Sequence, residues 1–150
     1  GINRTTKNAE ELTNKNMFNI YYTKKYDDVS YLIPVTQYVE NEGTVESQFA
    51  KAINNSAPDG MVLATQYNYI SETQDDKNDE KVNLNLKQAA LKEEGVVKKD
   101  VYEMVALTFN DLEKDYEISF EIEGESLVVE GIQDTKNFEV ANLIYNQKEI

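Results

Sequence analysis

The chain has no cysteine, no histidine and no tryptophan, and only two prolines and six glycines among its 150 residues. Without thiol or imidazole there is no cysteine nucleophile and no Ser-His-Asp triad. Zinc sites built from those ligands, iron–sulfur clusters and histidine-ligated haem are excluded with them. Six scattered glycines form neither G-x-G-x-x-G nor G-x-x-x-x-G-K-[ST], so neither phosphate-cradling loop is present. No run approaches the roughly 18–20 apolar residues of a membrane span, and no signal-peptide core is visible. Carboxylate, lysine, tyrosine and hydroxyl chemistry remain, and no cofactor is expected.

What is abundant is acid. Lys and Arg number 15 against 28 Asp and Glu, a formal charge of −13. Such a chain repels phosphate backbones and anionic bilayers, so nucleic acid is not an expected partner. Residues 1–25 run against the trend at +3. The length suits one domain with a core burying roughly 68–70% of the unfolded surface, with no need of a disulfide or structural metal. Gly1 in place of an initiator Met reads as the start of a trimmed chain, with any leader or anchor upstream of it.

Residues 1–16 carry only Ile2 and Leu12 as large apolar side chains and read as a polar tether. Met17–Lys25 alternates Phe18, Ile20 and Tyr22 as a strand does. Ser30–Val39 is a second strand, with Tyr31, Ile33 and Val35 in phase, and its Pro34 predicts an edge position or a bulge. Thr44 is a good N-cap for a helix whose buried face is Val45, Phe49, Ala52 and Ile53, ended at Asn54–Gly60. Met61–Ile70 and Lys81–Lys87 read as third and fourth strands joined by a polar hairpin tip. Gln88–Glu94 reads as one or two helical turns. The stripe Val101, Met104, Val105, Phe109, Leu112 and Tyr116 predicts the main core helix. Glu117–Glu123 then alternates as a half-buried strand, Ser126–Glu130 closes a hairpin, and Gln133–Ile150 fits helix or strand. The order β-β-α-β-β-α-β-β predicts an α+β domain, a small mixed or antiparallel sheet with two amphipathic helices on one face. Residues 17–131 form the domain and 132–150 an extension.

Three features invite chemistry. Asp75, Asp76, Asn78, Asp79 and Glu80 cluster, but neither EF-hand register places Gly at the sixth and Glu at the twelfth position, so a solvated tip is the expectation. Glu117, Glu121 and Glu123 share a strand face opposite Ile118, Phe120 and Ile122. A hydrolase would need one such carboxylate desolvated, whereas this face should be wet. Ten of the 15 aromatic residues are tyrosines, a residue favoured at protein interfaces, and Tyr21, Tyr31 and Tyr38 of the first hairpin are the candidate contact residues. Outward-facing Tyr21 and Tyr38 on an edge would offer aromatic anchors without dense negative charge.

The motifs resemble the GerM (GerMN) domain family of sporulation and spore germination proteins. That family opens with a hydrophobic-Tyr/Phe strand, an acidic turn and an L-x-P-V-x-R/T strand, matched here by Asn19–Val39 with Leu32, Pro34, Val35 and Thr36 in place. The V-x-V-x-L-S strand is similar to Val82–Leu86, and the closing h-x-h-x-h-(D/E)-G pattern to Ile118–Gly124. The final helix-to-strand link lacks the Pro or Gly of many members, having Leu112–Tyr116 instead. The resemblance implies a ring-building-type fold and a non-catalytic structural role in an extracytoplasmic, membrane-anchored lipoprotein. It implies protein partners in the cell envelope, including self-association, and no catalytic residue to carry over. The alternative is an envelope carbohydrate-binding module or carboxylate-based hydrolase.

Overall fold

The computed structural model describes residues 14–71 and 80–132. Strands β1 (Lys15–Tyr26) and β2 (Val29–Glu40) form an antiparallel hairpin paired without interruption from Lys15↔Glu40 to Tyr26↔Val29. Its two-residue turn places Asp27 and Asp28 at φ +50° and +66°, the mirror-image turn that suits strand twist. Helix α1 (Val45–Asn54) follows the expected cap: Thr44 Oγ1 accepts the Ser47 N–H at 3.2 Å. Phe49, Ala52 and Ile53 are buried on its inner face, and Val45 is half-buried.

Strand β3 is only Val62–Leu63, pairing with Thr23 and Tyr22 to give the order β2-β1-β3. The long third strand expected over Met61–Ile70 is thereby corrected, since Thr65–Tyr69 is a 3₁₀ helix. The reason is a period of three: Ala64, Tyr67 and Ile70 are all buried, and each later N–H bonds back to the preceding carbonyl at 3.2 Å. Tyr67 and Tyr69 therefore share no strand face. Tyr67 is buried, while Tyr69 is half-buried beneath the Lys98 ammonium at 5.2 Å.

Strand β4 (Lys81–Asn85) buries Val82 and Leu84 and runs parallel to β7 (Glu117–Ile122), which pairs with the short β8 (Glu125–Ser126). Of the helical turns expected after it, only the 3₁₀ turn Gln88–Ala90 forms. Leu91–Glu93 (β5) and Val96–Val97 (β6) then pair around Gly95, whose φ of +78° favours glycine. Helix α2 (Lys99–Asn110) buries every side chain from Val101 to Phe109 except the half-buried Glu103. It stops before Leu112 and Tyr116, which pack half-buried against the core from the following loop. The closing hairpin is brief: β9 (Val128–Val129) leaves β8 and joins β6 in parallel.

The α+β class and the two helices are as expected, and the single sheet is resolved into three small ones. Phe18, Phe49 and Phe109 form the aromatic centre, with ring centroids 5.0–6.4 Å apart, joining β1 to both helices. Strand β1 begins at Lys15, two residues before the expected start. Most of the polar tether, the Asp75–Asp79 cluster and the extension beyond Ile132 lie outside the described residues.

Candidate functional site

The candidate tyrosines separate. Tyr21 is 1% exposed, which corrects its expected outward position. Strand β1 lies between β2 and β3 and is covered on both faces along Ile20–Tyr22, so alternation does not carry Tyr21 to solvent. Its N–H donates to the Tyr67 hydroxyl at 3.0 Å, and its carbonyl accepts from the Ala64 N–H at 3.0 Å. Tyr31 is half-buried, its ring 6.1 Å from that of Tyr26. Tyr38 is 42% exposed.

Strand β2 is an edge, as Pro34 predicted, and the register shows no bulge there. Both main-chain groups of Tyr21 serve the β3 side, so Tyr21↔Pro34 is a pair that makes no ladder bond. The missing proline N–H therefore faces outward and costs the hairpin nothing. It also interrupts the outer row of donors, while Asn55 Nδ2 donates to the outward Tyr38 carbonyl at 3.3 Å. Pro34 and Asn55 together close much of this edge to an added strand.

A cleft of about 930 Å³ opens at the other end of the hairpin, between Lys15–Asn19, the start of α1 and the loop 111–116. Gln48, 3% exposed, takes a hydrogen bond from Asn16 and donates to Asn41 Oδ1 and to the Gly43 carbonyl, each at 3.3 Å. Asn19 Nδ2 donates to Asp111 Oδ2 at 3.1 Å, tying β1 to the loop after α2. Glu46, in the first turn of α1, is fully buried in the cleft wall. Sequence reasoning missed this cleft. In sequence a first-turn carboxylate such as Glu46 signals only a favourable interaction with the helix dipole, and no periodicity marks a surface assembled from three separate segments.

The acidic strand borders a second cleft of about 700 Å³, lined by Asn85, Lys87, Glu121 and Glu123 among others. Glu117 and Glu121 are half-buried and Ser119 and Glu123 exposed, so this face is in contact with solvent. Elsewhere, burial pushes the Glu103 carboxyl above its ordinary range, and the Lys92 ammonium holds Glu130 below it. Both belong to the surroundings of α2. Among the described residues no three acidic side chains gather to hold a metal ion, and no helix is long and apolar enough to cross a membrane.

No protein-family model matches the chain, and no curated protein does. Among solved structures, the tandem GerMN domains of the sporulation protein GerM from Bacillus subtilis superpose with a TM-score of 0.53. Identity is 21%, and the match covers 79% of this chain and 43% of that one. The fold is GerMN-like. The chain thus spans less than half the length of the tandem structure. The likeness in three dimensions agrees, at the level of fold, with the strand and helix motifs read from the sequence.

Proposed function

We propose that the chain is a non-catalytic interaction domain that helps assemble or stabilise a sporulation complex in the cell envelope. In this reading the polar N-terminal segment leads to a membrane anchor of lipoprotein type, and the domain works through protein contacts, including contacts with its own copies. The observation that carries it is the GerMN-like fold, which is not a known enzyme fold and which the GerM protein carries in tandem. Exposed aromatic surface on the hairpin, Tyr26 and Tyr38, supports a contact role.

A second reading rests on Glu121 and Glu123 beside the second cleft: a carbohydrate-binding module or carboxylate hydrolase. A panel of sugars and peptidoglycan fragments separates the two. The interaction reading expects neither binding nor turnover, together with measurable association with itself or with an envelope protein. Binding or turnover abolished by Glu121→Gln and Glu123→Gln would replace it with the second reading.

A further inference from the structure

The two long strands of the hairpin differ at their free edges. On β2 the outer row is interrupted by Pro34 and partly covered by Asn55. On β1, β3 covers only Tyr22 and Thr23, and no strand among the described residues pairs with the same edge nearer the start of β1. The direction of its main-chain groups follows from two hydrogen bonds. Tyr21 uses its N–H and C=O on the β3 side, whereas the Asn14 carbonyl accepts from Asn41 on the β2 side. With a period of two, Lys15, Met17 and Asn19 direct their main-chain groups to the β3 side, and all three line the 930 Å³ cleft.

We propose that the β1 edge from Lys15 to Asn19 is a peptide-binding site that takes an extended segment of a second protein as an added strand. This deepens the interaction-domain reading and rests on it. A row of peptide donors and acceptors about 17 Å long is matched best by another extended backbone. The edge lies between the start of α1 and the loop 111–116, so a single strand reaches it where the broad face of a folded copy does not. Met17, 59% exposed, offers apolar contact to a guest side chain on its face. Leu112 and Tyr116 line the cleft as further apolar surface. The lining carries three carboxylates, Glu46, Asp111 and Glu113, against the ammonium groups of Lys114 and of Lys15, the latter already engaged by Glu40 at 3.8 Å, and this acidic excess favours a basic guest residue. The guest is thus an extended segment that carries both apolar and basic residues.

The probe is the synthetic peptide Lys-Val-Lys-Val-Lys-Val-Lys with blocked ends, titrated into the isotope-labelled full chain and followed by amide NMR. The amides of Lys15, Met17 and Asn19 shift on binding, and their hydrogen exchange slows. Two further peptides, N-methylated either at the valines or at the lysines, leave the protein untouched; one of the pair loses affinity at least about tenfold because its β1-facing donors are gone. Met17→Pro, which mirrors Pro34 on the neighbouring strand, loses binding by a similar factor. The proposal is overturned by shifts confined to other surfaces, by equal binding of both methylated peptides, or by no binding up to about 1 mM. It is also overturned if the Met17 and Asn19 amides are already protected in the free chain, since the edge is then filled in cis. Should the peptide fail while the chain still associates with an envelope protein, the interaction-domain reading stands and its contact lies elsewhere.

Discussion

The hydroxyl of Tyr67 lies 2.8 Å from that of Thr108, joining the 3₁₀ turn to α2 inside the core. The order of protons along this contact is fixed by its ends. Tyr67 accepts the Tyr21 N–H, and Thr108 donates to the Met104 carbonyl at 3.3 Å, so Tyr67 is left to donate to Thr108. One relay thus connects the central strand, the 3₁₀ turn and the main helix. Relays of this kind bind their members more tightly than the separate bonds would.

Removing the middle of the relay strands a buried donor. Tyr67→Phe is expected to cost about 1–3 kcal/mol because the Tyr21 N–H loses its acceptor. Thr108→Val should cost less, and the double variant less than the sum of the two, because both act on one network. Urea denaturation of the four proteins checks this. Additive losses would show that the two hydroxyls act independently.

Burial raises the Tyr67 pKa above the ordinary tyrosine value, even though Thr108 and Tyr21 pull it back. The folded state therefore holds a proton that the unfolded chain releases above about pH 10. Stability from this group is full below that pH and declines as pH rises towards the folded value. Tyr67→Phe should have a shallower loss of stability than the wild type above pH 10, measured by denaturation at a series of alkaline pH values.

Much of this fold is legible in the sequence where one period governs a segment. Phe18, Ile20 and Tyr22 announce β1; Val82 and Leu84 announce β4; and the Thr44 cap with Phe49, Ala52 and Ile53 announces α1 almost to the residue. Met61–Ile70 misleads because β-rich composition outweighs the period of three marked by Ala64, Tyr67 and Ile70. Tyr21 misleads for another reason: alternation predicts one wet face, and a strand covered on both sides has none there. The cleft at Lys15–Asn19 depends on where the loop after α2 returns, which is a tertiary fact with no local signature.

The entry to α1 is sensitive to small changes. A Cβ added at Gly43, where φ is +77°, would sit 2.9 Å from Ser47 Oγ. Gly43→Ala should destabilise by roughly 1–2 kcal/mol from the backbone conformation alone. Thr44→Ala should cost about 1 kcal/mol through loss of the cap. Thermal or chemical melts of the two variants check both figures.

Tyr38 and Tyr21 should respond oppositely to charge. Tyr38→Asp, at an exposed site, should change stability by about 0.5 kcal/mol or less while weakening association if this face takes part in contacts. Tyr21→Asp places a carboxylate in the core and should abolish the cooperative melt. Sedimentation and circular dichroism on both variants separate a contact residue from a core residue.

If this GerMN-like domain holds a sporulation complex together, as proposed, it should do so in place of a GerMN domain of GerM. The deciding experiment replaces one of the tandem GerMN domains of Bacillus subtilis GerM with this chain and counts heat-resistant spores. The expected result is a spore yield clearly above that of GerM lacking the same domain, with the chimera accumulating to wild-type level. A yield no better than the deletion, at that same protein level, would rule this role out.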